Sequence, residues 1–229
     1  MIARLALLLA SLASLPAFAS QALHRQAASR IVRIVVSDPG DPDHVAIRDP
    51  DIVESDSPDL GNRLSAWLFG GKNMTDQRME MSVAGHDLDR ALEARQVHLG
   101  ADLRDDVAAA MKADGYQFQP EPSYDTDASV NLTLRRIRYN GLAYHGRISV
   151  EIIVDASMVD LNSHAVLFEK TYSLTDTDAT EIGSKEIAPD QDYVFADYNA
   201  VVADPERAVA GLRANLSIIA KAIGRDLAR

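Results

Sequence analysis

The chain has 229 residues, of which 25% are charged, a formal net charge of −11 and no cysteine. An acidic surface disfavours binding to nucleic acid or to anionic lipid headgroups, because both ligands require a positive field. The absence of cysteine excludes disulfide bonds, zinc sites with thiolate ligands and a lipid anchor attached to cysteine. Stability is therefore expected to come from a hydrophobic core.

The first residues, MIARLALLLASLASLPAFAS, have the three regions of a secretory signal peptide. Arg4 provides the positive charge, an apolar run follows, and Ala17-Phe18-Ala19 forms a small-x-small cleavage site before Ser20. The run is too short to span a bilayer. We predict cleavage after Ala19 and a periplasmic protein with no stable membrane anchor. Loss of Arg4 changes the formal charge from −11 to −12.

The chain after the signal peptide begins with a predicted flexible leader over 20–30. The first strand is predicted over 31–36 (IVRIVV), which is rich in β-branched residues. An Asp- and Pro-rich stretch over 38–59 is interpreted as a long exposed loop, because its carboxylates lack the spacing of an EF-hand calcium loop. Two further elements are predicted next, an amphipathic helix over 60–69 and a strand over 79–83.

The longest regular pattern runs over residues 129–174. Every second residue is apolar over 148–158, which is typical of a half-buried strand. The alternation slips by one residue at 135–136, which indicates a β-bulge. A further alternating run follows a predicted turn at 160–164. Together these runs predict an antiparallel meander with one apolar face.

Two amphipathic helices are predicted, over 101–114 and 205–227. Gly115 ends the first, and Asp204-Pro205-Glu206 begins the second with an N-cap, a proline at the first helical position and an acid in the first turn. Each helix has one apolar stripe. We therefore predict a single α+β domain over 31–229 with two layers, in which both helices cover one face of a mixed sheet containing the meander.

No pattern of catalytic or metal-binding residues stands out. The six histidines share no metal-ligand spacing and are His24, His44, His86, His98, His145 and His164. There is no nucleophile-elbow motif and no phosphate-binding loop. A pair such as Glu151 and Glu169 could face each other across the sheet, but carboxylates on the polar face of a strand ordinarily serve solubility. We predict no cofactor and no metal, and we favour a non-enzymatic protein.

Residues 175–203 break the alternating pattern with acids and three aromatic side chains. Tyr193, Phe195 and Tyr198 lie among Asp190, Asp192 and Asp197. One interpretation is that the rings pack against the sheet or the last helix, because aromatic residues bury a large area. The other is an exposed patch that binds a partner, since aromatic residues are enriched at interfaces. Tyr193, Phe195 and Tyr198 are thus the candidate partner-binding patch.

Three segments together resemble the YajG-like family of bacterial envelope lipoproteins. They are VHLGADLRDDVAAAMKADGYQF, then VNLTLRRIRYNGLAYHGRISVEIIVDASMV with FEKTYS, and finally GLRANLSIIAKAIGRDLA. The resemblance implies an envelope location and a helix, hairpin and closing helix of this kind. Members of that family are lipidated at a cysteine, whereas this chain has none. The family has no assigned activity, so no catalytic residue follows from the resemblance.

Three functions remain open from the sequence. The first is a non-enzymatic periplasmic accessory protein that binds an envelope component or partner protein. The second is a carrier that encloses a small apolar ligand such as a lipid between sheet and helices. The third is a hydrolase of envelope polymers that uses carboxylates of the 38–59 stretch.

Overall fold

The fold is seen in a computed structural model, which describes residues 31–43, 45–48, 87–141, 147–176 and 182–228. Within these residues the chain forms a seven-stranded mixed sheet and helices that cover it, which confirms the predicted α+β fold class. The predictions that lie outside them are the signal peptide, the leader, residues 49–59 of the predicted loop, the helix over 60–69 and the strand over 79–83.

The elements have the following bounds. The strands are β1 (Arg33–Val36), β2 (Ala46–Arg48), β3 (Gln117–Gln119), β4 (Ala128–Gly141), β5 (Ile148–Asp160), β6 (Val166–Leu174) and β7 (Lys185–Ile187). The helices are α1 (Leu99–Ala113), α2 (Tyr198–Ala203) and α3 (Pro205–Leu227), with a 3₁₀ helix at Gln191–Tyr193. Residues 87–94 are also helical.

The sheet is built around the predicted meander. Its strand order is β3-β1-β4-β5-β6-β7, and β2 pairs with the second half of β4. Strands β4, β5 and β6 are antiparallel neighbours, while β1, β2, β3 and β7 join the sheet in parallel. The register of β4 against β5 shifts between Leu134 and Arg136, which confirms the predicted bulge.

The core lies between the apolar face of the sheet and the helices. Ile152 at the centre of β5 is fully buried, and α3 contacts β5 and β6 while α1 contacts β1 and β3. The two helices also pack closely on each other, because a Cβ added at Gly224 of α3 would clash with the Cβ of Ala110 in α1. Both helices thus cover the same apolar face, as predicted.

The helix ends follow the sequence signals. The side chain of Asp204 accepts a hydrogen bond from the backbone N–H of Arg207 at 3.0 Å, which satisfies one of the free donors of the first turn of α3. Gly115 follows α1 with φ of 98°, a conformation that glycine adopts without strain. Helix α1 begins at Leu99, two residues before the predicted start.

Regular structure occurs in the predicted 38–59 loop and in the stretch that breaks the alternating pattern. Strand β2 lies inside the predicted 38–59 loop, and residues 175–203 contain β7, the 3₁₀ helix and α2. Strands β2 and β7 have three residues each, which is too short for an alternating pattern to emerge from the sequence. Pairing with the long strands β4 and β6 stabilises them instead.

Candidate functional site

The aromatic segment over 190–198 links the 3₁₀ helix to α2 and lies beside the N-terminal half of α3. Phe195 forms a two-way backbone bridge with Ile148, the first residue of β5: each N–H donates to the carbonyl oxygen of the other residue, at 2.8 and 2.9 Å. The segment is therefore fixed to the end of the meander by backbone hydrogen bonds.

The Phe195 side chain belongs to the core. It is 2% exposed and meets the Tyr139 ring edge-on, with 5.5 Å between the ring centroids. The hydroxyl of Tyr139 donates to the carbonyl oxygen of Ala208 in α3 at 2.6 Å, and burial raises the pKa of this hydroxyl. Phe195 thus joins the sheet to α3 and anchors the segment.

Arg207 holds the segment from the solvent side. Its Nη2 donates to the carbonyl oxygens of Asp192 and Val194 at 2.8 and 3.2 Å. Its guanidinium carbon also lies 4.7 Å from the centroid of the Phe195 ring, within the range of a cation–π contact. Arg207 therefore donates hydrogen bonds to one carbonyl oxygen within the 3₁₀ helix and to another just after it.

Two of the three acids in the segment have local roles. The side chain of Asp190 accepts from the N–H of Asp192 at 3.0 Å, and the side chain of Asp197 accepts from the N–H of Ala200 at 2.8 Å, which caps α2. Asp192 is exposed. The acids thus fix the backbone of the segment while they also make its surface negative.

Tyr193 and Tyr198 are each half-buried, unlike Phe195. Tyr193 lies against α3 at Gly211, where an added Cβ would approach the Cβ of Tyr193 to 2.9 Å. Tyr198 packs against the edge of the core. The structure therefore separates the candidate patch into one buried anchor, Phe195, and two tyrosines that each retain exposed surface.

A buried carboxylate on β5 was missed by the sequence analysis. Glu151 is 6% exposed, and its oxygens accept from Arg136 Nη1 at 3.0 Å, Arg138 Nε at 2.7 Å and Asn140 Nδ2 at 2.9 Å. Glu151 and Glu169 do not face each other, because Ser157 is the cross-strand partner of Glu169. Glu151 therefore joins β4 to β5.

A second ionic cluster holds the C-terminal end of α3. Asp226 accepts from the Nζ atoms of Lys170 and Lys185 at 3.0 and 2.9 Å, and from the hydroxyl of Tyr172 at 3.1 Å. Burial alone would raise the pKa of Asp226, but these hydrogen bonds lower it to about 2. The cluster is satisfied within the protein and connects α3 to β6 and β7.

The first acids of the 38–59 stretch bind the N-terminus of α1. Asp41 accepts from the N–H of Gly100 at 2.9 Å and lies 2.9 Å from Nδ1 of His98. Asp38 lies 3.5 Å from Nη1 of Arg104. A surface groove of about 340 Å³ lies beside them. These two carboxylates thus stabilise a helix end, where a negative charge is favoured.

Among the residues that the structure describes, no three or more His, Asp or Glu side chains are grouped in a way that could hold a metal ion. The same residues contain no helix with the length and apolar character needed to cross a bilayer.

The chain matches no family model and no curated protein. Solved bacterial structures that are similar to it include the following two. Protein XCC0632 from Xanthomonas campestris, of the family model DUF330, is 13% identical over 86% of this chain and 84% of that chain, with a TM-score of 0.42. A protein from Caulobacter crescentus CB15, provisionally described as a lipoprotein, is 17% identical over 57% of this chain and 80% of that chain, with a TM-score of 0.35.

Proposed function

We propose that this protein is a periplasmic, non-enzymatic accessory protein that binds a partner protein of the bacterial envelope through the surface around Tyr193 and Tyr198. The observation that carries the proposal is the way the 190–198 segment is held. Phe195, Arg207 and two capping aspartates fix its backbone, while the two tyrosines keep exposed surface.

A fixed segment favours binding because little conformational freedom remains to be lost when a partner docks. Tyrosine suits such a surface, since its ring is rigid and its hydroxyl can form hydrogen bonds at the interface. The exposed acids nearby, including Asp192 and Asp197, favour a partner with a basic surface and repel an acidic one.

The location rests on the signal-peptide pattern of residues 1–19 and on the resemblance to the YajG-like envelope family. Since the chain has no cysteine, it would act as a non-lipidated member of such a group. It would then meet its partner from the periplasmic space rather than from a membrane anchor.

The test is a comparison of two variants expressed with the signal peptide in a bacterial host. In the first, Tyr193→Ser is combined with Tyr198→Ser; in the second, Tyr124→Ser changes a tyrosine that is fully exposed elsewhere. We expect the double variant to lose its partner in a crosslinked periplasmic pull-down. The Tyr124 variant should retain the partner.

Circular dichroism melting of both variants separates lost binding from lost folding. We expect the double variant to remain folded at the assay temperature, because neither tyrosine is fully buried. A folded double variant that still captures the partner as well as the Tyr124 variant does would refute the proposed surface.

A further inference from the structure

Strand β3 (Gln117–Gln119) is the last strand on its side of the sheet among the described strands. The ring of Phe118 at its centre is 37% exposed. A groove of about 510 Å³ lies between β3 and α1 and is lined by Tyr116, Phe118, Ala108 and Ala109 and by the charged residues Asp105 and Lys112. The edge of the sheet thus continues into a largely apolar groove.

At Phe118 the backbone of β3 has a side that pairs with no other described strand. The N–H of Gln117 donates to the carbonyl oxygen of Val32 at 2.7 Å, so the polar groups of Gln117 point toward β1. Because successive residues of a strand point their polar groups in opposite directions, the N–H and C=O of Phe118 point away from β1. An edge strand of this kind can pair with another strand.

The two charged residues that line the groove would make two copies of this surface complementary to each other. Asp105 and Lys112 are separated by two turns of α1, with Ala108 and Ala109 midway between them. In β3, Phe118 has a glutamine on each side. If a twofold axis passes near Phe118 and the two alanines, Asp105 of each copy lies opposite Lys112 of the other copy. The dimer would then contain two such charge pairs.

We propose that this surface binds a second copy of the chain. The two β3 strands pair in antiparallel orientation about Phe118. The N–H of each Phe118 donates a hydrogen bond to the carbonyl oxygen of the other. The sheet then continues across the dimer, and the two α1 helices lie side by side on the same face. The small side chains of Ala108 and Ala109 allow these helices to approach, as an isologous interface requires.

Charge complementarity favours a second copy over an unrelated peptide. When the occupant is a second copy related by a twofold rotation, Asp105 and Lys112 of each copy both lie opposite a residue of the opposite charge. Asp105 already contacts Arg104, with 2.8 Å between Nε and Oδ1, and Lys112 of the second copy would add a further cation. The surface contains neither Tyr193 nor Tyr198, so it is tested separately from the proposed partner site.

Disulfide trapping tests the geometry directly, because the chain has no cysteine of its own. Opposite residues of a hydrogen-bonded antiparallel pair have Cα atoms about 5.5 Å apart, which is within the range that a disulfide bridges. The mature Phe118→Cys variant should therefore form a covalent dimer on mild oxidation. Tyr124→Cys, at a fully exposed position, is the control and should stay monomeric under the same conditions.

Sedimentation velocity over a concentration series tests the charges without altering β3. We expect the parent to dimerise and Lys112→Asp to raise the dissociation constant by roughly tenfold or more, since both charge pairs become repulsive. Combining Asp105→Lys with Lys112→Asp should restore dimerisation. A parent that is monomeric throughout, or a Phe118→Cys variant that crosslinks no more than the control, would overturn the proposal. These negative results are the ones expected if the groove binds an unrelated peptide and not a second copy.

Discussion

The meander and the aromatic segment hold their residues by different forces. The meander is stabilised by a continuous apolar face, in which Ile152 and its neighbours on β5 are buried under α3. The 190–198 segment has one buried ring, Phe195, and otherwise depends on hydrogen bonds from Arg207 and on capping aspartates. Burial therefore determines the fold, while local hydrogen bonds determine what the surface presents.

The largest effect is expected from a charge in the meander. Ile152→Asp places a carboxylate without a partner at a fully buried position, and we expect it to cost more than about 4 kcal/mol and to prevent stable folding. Urea unfolding followed by circular dichroism measures this. The control is Glu169→Ala at an exposed position of β6, which should unfold with the parent. If the two variants had equal midpoints, the assignment of the buried face would be wrong.

Removing the anchor of the aromatic segment should have the next largest effect. Phe195→Ser deletes a ring that is 2% exposed, and truncating a buried aromatic side chain costs about 3 kcal/mol or more. Tyr193→Ser, at a half-buried position, is the matched variant and should cost about 1 kcal/mol by loss of partial burial. Equal losses in thermal unfolding would contradict the division into anchor and surface residues.

The same contrast explains what could be predicted from the sequence. The apolar period of β4, β5, α1 and α3 is long enough to define both the element and its buried face. The partners of Glu151 could not be predicted, because its contact with Arg138 depends on the β4–β5 register after the bulge. The role of Phe195 could not be predicted either, since its bridge to Ile148 joins residues far apart in the chain.

The ion pairs of Asp226 with Lys170 and Lys185 combine burial with charge. The pKa of Asp226 is lowered from 3.8 to about 2, so the carboxylate stabilises the fold above pH about 4, and this stabilisation is lost as the pH falls toward the folded-state pKa. We expect Asp226→Asn to cost about 2 kcal/mol at neutral pH, because Lys170 and Lys185 lose their anion.

The pH dependence separates this charge effect from simple packing loss. Unfolding free energies of the parent should fall between pH about 4 and pH about 2 more steeply than those of Asp226→Asn, which has no carboxylate to protonate. The unfolding free energy of Asp192→Asn, at an exposed position, should have the same pH dependence as that of the parent. Parallel curves for the parent and Asp226→Asn would show that the lysines do not stabilise the carboxylate.

The smallest effect is expected where a loop carboxylate caps α1. Asp41→Ala removes the acceptor of the Gly100 N–H, and losing a cap of this kind costs about 1 kcal/mol. Asp41→Asn keeps an oxygen acceptor and should cost less, because only the favourable charge at the helix N-terminus is lost.

The effect of Asp41→Ala should also be local. Amide hydrogen exchange at Gly100 should accelerate in Asp41→Ala, while the buried turn of α3 around Leu216 should exchange at a nearly unchanged rate. Equal acceleration at both sites would mean that Asp41 supports the whole fold rather than one helix end.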